Sequence, residues 1–231
     1  MPTLLANTET PLDFGTDLIE AAVVHRAENY RIDAPTIVVN PTTRPVTIGA
    51  RPHKTIPAWS STILRDTTVQ DAEHVLTLRC DPDAVFAGLM HDPGWQRFGD
   101  LDLWKGPQHT LGTLDFDPAH ALGERPEATA PETFRMTANL WFAPAATDCA
   151  IHNRHDFIEV HTQVHGHGRM QKFHHRDHAT LYQDIRMSPG YTTPDPFCAT
   201  ADDGSFAYPW HQYYADTDCV WLALEFHATD R

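Results

Sequence analysis

The stretch Ile151 to Met170, reading IHNRHDFIEVHTQVHGHGRM, gathers the residue types most able to do chemistry. Side chains alternate across an extended strand, so Ile158, Val160, Thr162 and Val164 fall on one face. Phe157, Glu159, His161, Gln163 and His165 fall on the other. One face is aliphatic, and the other carries a carboxylate, imidazoles and a carboxamide. A solvated face draws on Lys, Arg, Ser and Asp before paired histidines, so this pattern predicts a polar pocket lined by a strand. Imidazole and carboxylate together suit Fe, Mn, Ni, Cu or Zn. A metal held by three or four protein groups keeps open positions for substrate, water or dioxygen.

The elements that must position this face read as short strands. Thr36 to Leu64 offers three, at Ile37 to Val39, Val46 to Ile48 and Thr62 to Leu64, separated by Pro, Asn and Gly punctuation. His74 to Arg79, Leu101 to Trp104, Thr110 to Phe116, Phe134 to Phe142, Ala179 to Met187 and Cys219 to Phe226 continue the pattern. In DPDAVFAGLMHDPGW, Asp81 or Asp83 is expected to cap a short helix that Asp92-Pro93-Gly94 closes. Residues 1–34 read as an N-terminal arm, with Leu18, Ile19, Ala22 and Val23 at roughly helical spacing. Ala121 to Glu132, rich in Pro, Glu, Ala and Thr, reads as a linker. The expected division is therefore an arm (1–34), a β-rich half (35–130) and a C-terminal block (131–231) of ordinary domain size. Many strands and few short helices predict an all-β sandwich or barrel.

Composition excludes several functions. The formal net charge of -14, with scattered Lys and Arg, argues against nucleic-acid binding. Cys80, Cys149, Cys198 and Cys219 form no CxxC pair, which argues against a zinc ribbon, a closed structural zinc site or a thioredoxin motif. The start, MPTLLANTETPLDF, lacks the pattern of a secretory signal, and no window approaches the roughly 20 apolar residues of a membrane span. The expectation is a cytoplasmic protein with no membrane partner. His165 and His167 read as solvated turn residues. His174, His175 and His178 read as a polar loop rather than a second metal cluster.

The chain resembles the cupin superfamily. The first cupin motif has two histidines separated by one residue, a glutamate three or four residues later, and a glycine after six more. His155, Glu159 and Gly166 match it, with Asn153 at the position of the first histidine. Gly204, Pro209 and His211 resemble a shortened second motif that lacks its internal glycine. The resemblance covers about Phe134 to Phe226. It implies a double-stranded β-helix barrel, jelly-roll-like, holding one divalent metal. Fe(II) is favoured, with Zn, Mn, Ni or Cu as alternatives. Carried over by position, the ligands are His155, Glu159 and His211. The fourth is His152 re-aimed through a bulge, Asn153 as a weak ligand, or His161 from the face of Glu159. The N-terminal half is expected to be a second, metal-free cupin-like barrel, and pairing through outer strands implies a homodimer.

What this implies for function is a metal-dependent enzyme acting on a small organic molecule, with an Fe(II)-type dioxygenase as the leading expectation. Glu159, His161 and Gln163 are the expected catalytic groups, with Gln163 pointing into the cavity. Trp210, Tyr213 and Tyr214 are the expected substrate wall. The alternatives are a redox-neutral isomerase, cyclase or lyase, and a cupin that binds a small ligand without turning it over.

Overall fold

The computed structural model describes residues 5–81, 83–193 and 198–229. The all-β expectation with few short helices holds. The first seven strands are β1 (Thr8–Pro11), β2 (Ile19–Ile32), β3 (Thr36–Val39), β4 (Val46–Ile48), β5 (Lys54–Ile56), β6 (Ser61–Leu64) and β7 (Thr67–Cys80). They form one antiparallel sheet in the order β1-β2-β7-β3-β6, with β4 joined to β7 and β5.

The later strands are β8 (Gln96–Arg97), β9 (Trp104–Lys105), β10 (His109–Phe116), β11 (Glu132–Ala143), β12 (Ile158–His165), β13 (Gly168–Phe173), β14 (Leu181–Met187), β15 (Ala199–Thr200), β16 (Phe206–Ala207), β17 (Trp210–Ala215) and β18 (Cys219–Ala228). A second sheet runs β12-β18-β11-β9-β8, with β10 on β11. A third runs β14-β13-β17, and β15 pairs with β16. Among the described residues, no helix is long and apolar enough to cross a membrane.

Two local expectations are corrected. The helical spacing at Asp17 to Arg26 is instead part of β2, paired with β7 from Ile19↔Cys80 to Ile32↔Thr67. Ile19, Ala21 and Val23 join one core while Val24 joins another. A strand apolar on both faces loses its alternation and mimics a helical stripe. The short helix near Asp81 is a 3-10 turn, Phe86–His91, with Val85 at its N-cap and no side-chain cap bond. Residues 122–131, inside the expected linker, carry no strand or helix. The N–H groups of Thr129 and Ala130 donate to buried Asp117 Oδ2 at 2.8 and 2.9 Å.

Two apolar clusters organise the layers. The smaller, with Val24, Val38, Val46, Ile56, Val69 and Val75, lies on one side of the first sheet. The larger joins the other side of that sheet, through Ile19, Val23, Leu76 and Leu78, to Phe134, Leu140, Val160, Leu224 and Phe226 of the second. Trp59 binds the layers, its ring 5.2 Å from Phe116 and 5.0 Å from Phe226. Hydroxyls also cross the boundary. Ser61 donates to the Gly190 carbonyl at 2.9 Å, and Thr192 lies 2.7 Å from Ser61 and 2.6 Å from Thr162. The second sheet thus gives its aliphatic face to a neighbouring layer, leaving the opposite face for the site.

Candidate metal centre

Register arranges that opposite face in rows. Glu159 stands beside Glu225, which stands beside Thr137; His161 beside Ala223 beside Asn139; and Gln163 beside Trp221 beside Trp141, which pairs with Lys105. His227 and Arg135 form a further row. Much of this face lines a cavity of about 690 Å³, closed from the other side by residues 149–155 and by Tyr213. That volume suits a small organic ligand.

The metal donors meet where the second and third sheets approach. Residues 148–152 run beside β17, with His152 N–H donating to the His211 carbonyl at 2.9 Å and His211 N–H returning the bond at 2.8 Å. This pairing sets the two imidazoles side by side, tilted by 54° with 4.4 Å between centroids. His155 follows, and its Nε2 lies 3.2 Å from His211 Nε2. Glu159 Oε1 is 3.3 Å from His155 Nε2 and 3.9 Å from His211 Nε2. One nitrogen from each of His152, His155 and His211 lies within 4.8 Å of the others.

The tautomers fit a cation. Nδ1 of His152 is 2.9 Å from the Ala150 carbonyl, and Nδ1 of His211 is 2.9 Å from the Pro209 carbonyl. A ring nitrogen facing a carbonyl carries the proton, so each Nε2 presents a lone pair. Metal-binding histidines show this arrangement, one nitrogen donating to a carbonyl and the other free to ligate. His152, His155, His211 and Glu159 are therefore the residues that would hold a divalent metal.

Burial sets the protonation states. It pushes His155 down to about 4 with help from His152, His161 down to about 3, and His211 down to about 2. All three are neutral at pH 7, as ligands must be. Burial, then the charge of Glu225, pushes Glu159 up to about 8. A cation beside it favours the carboxylate again. Glu225 behaves oppositely. Burial opposes its charge, but His227 at 2.9 Å, Lys105 at 3.8 Å and Asn139 at 3.0 Å outweigh it and hold the group down at about 2.

The structure brings together His155, Glu159, His211 and His152. His161 shares their cavity but stands outside the three-histidine group, its ring 4.3 Å from Tyr213. Its Nδ1 is buried with no protein partner among the described residues. Four expected placements are corrected. Gln163 does not reach the cavity: Trp221, its register partner, takes that stretch of wall, and the Gln163 amide donates to the His165 carbonyl instead. Trp210 and Tyr214 lie off the cavity wall because they alternate with His211 and Tyr213 along β17. His165, read as a solvated turn residue, ends β12 and stacks on Phe86 at 4.1 Å. His174, His175 and His178 are exposed.

Sequence reasoning missed Tyr208, Lys105, Glu225 and His227. The Tyr208 hydroxyl donates to the Phe157 carbonyl at 2.8 Å and accepts from Glu159 N–H at 3.1 Å, fixing the start of β12. A signal for Glu225 was present: it is a lone charge in the apolar run CVWLALEF.

No family model and no curated protein match the chain. Similar solved structures include ectoine synthase from P. lautus, 11% identical over 63% of this chain and 76% of that one, with a TM-score of 0.34. Oxalate decarboxylase from Lactobacillus farciminis is 10% identical over 95% of this chain and 80% of its own, with a TM-score of 0.33. Vicilin from hazelnut, Corylus avellana, is 8% identical over 96% and 84%, with a TM-score of 0.34. Likenesses at this level carry no weight for function.

Proposed function

We propose that the chain is a metal-dependent enzyme acting on a small organic molecule, with Fe(II)-type dioxygenation as its reaction. The observation that carries this reading is the convergence of His155, His211 and Glu159, within 3.2–3.9 Å of one another, beside a ligand-sized cavity. Imidazoles and a carboxylate with open positions suit Fe(II), as in the two-histidine, one-carboxylate sites of non-haem oxygenases, with His152 as a third imidazole here. Bound there, the metal supplies Lewis acidity and, as Fe(II), reducing power towards dioxygen.

The chain's own residues shape the rest. Trp141, Trp221, Leu103 and Phe157 give the cavity apolar wall that excludes water. Tyr208 anchors the backbone of Glu159, and the carbonyls of Ala150 and Pro209 fix two imidazole tautomers. His161 offers an uncommitted Nδ1 that can hold or release a proton beside the substrate.

One observation favours a second reading, a redox-neutral isomerase, cyclase or lyase. Glu159 and Glu225 stand opposite each other on adjacent strands, with His161 in the next row. Glu159, pushed up to about 8, and the neutral His161 can give or take a proton in one cavity, with the ionised Glu225 beside them. Anaerobic purification, metal analysis and oxygen-uptake assays separate the two. Turnover restored by iron and consuming dioxygen supports the oxygenase. Turnover that persists with zinc and without dioxygen overturns it in favour of the second reading.

A further inference from the structure

We infer that the substrate is an organic acid with an apolar body, its carboxylate gripped by arginines at the cavity mouth. The inference rests on the reading of this cavity as the substrate site. Four cations line the cavity, Lys105, Arg135, Arg154 and Arg176, against two carboxylates, Glu159 and Glu225. This is a local excess of positive charge in a chain whose formal net charge is -14. Chance placement would have given the opposite sign.

The pairing of the arginines sharpens the point. Arg26, Arg31, Arg65, Arg79, Arg97, Arg125 and Arg169 each pair with a carboxylate. Arg135, Arg154 and Arg176 make no ion pair among the described residues, and neither do Arg44, Arg51 and Arg186, but only the first three are exposed guanidiniums that line this cavity. They come from three separate segments: β11, the turn between His152 and His155, and the loop before the 3-10 turn His178–Thr180. Their convergence on one opening is a property of the fold and not of a local basic run.

The cavity carboxylates do not satisfy them. Glu225 is already matched by Lys105, His227, Asn139 and Thr137. Glu159 lies among the imidazoles of the metal centre. Guanidinium forks match a carboxylate in two parallel hydrogen bonds, so a ligand carboxylate supplies what the protein withholds. Below the mouth, Leu103, Trp141 and Phe157 fit a hydrocarbon body reaching towards the donors. A cleft of one charge sign with low-dielectric walls also raises the capture rate of an oppositely charged ligand.

The test is calorimetric titration of the zinc-loaded full-length protein at low salt. The probes are 3-phenylpropionate, its primary amide, 2-phenylethylamine and the matching phosphonate. The carboxylate is expected to bind at least about tenfold more tightly than the amide, since its hydrogen bonds are charge-assisted. The amine is expected not to bind. Arg154→Ala and Arg176→Ala should each weaken the carboxylate and leave the amide and the metal content unchanged. Arg154→Lys should fall between.

Equal binding of carboxylate and amide overturns the inference. So does arginine-independent binding, or no binding of any arylalkyl carboxylate from phenylacetate to 4-phenylbutyrate at millimolar concentration. Tighter binding of the phosphonate overturns the carboxylate assignment. A protein that takes up no metal but keeps arginine-dependent carboxylate binding leaves the inference standing while overturning the metal reading. A protein that holds its metal and ignores the carboxylate removes the inference alone.

Discussion

The first sheet and the sheet that carries the metal centre use the same strand alternation but turn opposite residue types towards their enclosed faces. In the first, both faces are aliphatic, with Val38, Val69 and Val75 on one side and Leu76, Leu78 and Val39 on the other. In the second, Phe134, Leu140, Val160, Leu224 and Phe226 face the shared core, while Glu159, Glu225, His161 and Arg135 face the cavity. The first sheet also places two histidines side by side, His25 and His74, with Nδ1 atoms 3.2 Å apart. Glu73 approaches His74 Nε2 at 3.6 Å, but no third donor comes within reach of both histidines among the described residues. A histidine pair is therefore not enough. What distinguishes the second sheet is Glu159 together with His211 from β17 of the third sheet and His152 and His155 from the segment before β12.

The largest expected effect breaks that comparison most directly. Glu159→Ala and His211→Ala should each weaken metal binding by more than about a hundredfold, beyond the 10–100-fold that outer partners of a metal site carry. His25→Ala and His74→Ala should leave metal content unchanged. Elemental analysis after equilibrium dialysis reads both. Loss of metal on removing His25 would erase the contrast between the sheets.

Next in size is the shared layer. Phe226→Ala, at a fully buried position against Trp59, should cost about 3–5 kcal/mol in denaturant unfolding while the folded fraction keeps its metal. A cost below 1 kcal/mol would mean that the two sheets do not depend on this packing. Smaller is the turn that follows β12. A Cβ on Gly166, at a φ of +74°, would clash with the Asp218 carbonyl oxygen. Gly166→Ala is therefore expected to destabilise by about 2 kcal/mol or more, from left-handed backbone strain plus the displaced Asp218.

The smallest effect lies on the outer sheet, where charges pair conventionally. The Arg169 guanidinium holds Asp216 below the usual carboxylate range, with contacts of 2.8–2.9 Å. The folded pKa is depressed, so this stability is present above the unfolded value of about 3.9 and is lost as pH falls through the folded one. Asp216→Asn should cost no more than about 1 kcal/mol at pH 7, and the difference from the parent should vanish in acid. A difference that grows as pH falls would reverse the assignment.

The parts legible in the sequence were those encoded locally. Ile158 to His165 announced its two faces by alternation, and the strands rich in β-branched residues announced themselves in the same way. The same alternation runs through β11, where Arg135, Thr137, Asn139 and Trp141 interleave with Phe134, Met136, Ala138 and Leu140. That alternation was open to view, but the pairing that sets Thr137 beside Glu225 and Asn139 beside Ala223 was not. Register was not legible, because the pairing of Glu159 with Glu225 joins strands far apart in the chain. His152 depended on register too: only its bridge to His211 shows why it, and not His161, stands in the three-histidine group. Trp210 and Tyr214 failed because they sit at odd spacing from His211 and so take the opposite strand face, whereas Gln163 takes the expected face but lies beyond the cavity, where Trp221 forms the wall.

The most direct test of the metal centre is anomalous diffraction from crystals of the zinc- or iron-loaded protein. A single peak within ligand distance, about 2.0–2.2 Å, of nitrogens from His152, His155 and His211 and an oxygen of Glu159 is the predicted result. A peak at His25 and His74, or a loaded protein with no peak at His155, His211 and Glu159, would contradict it.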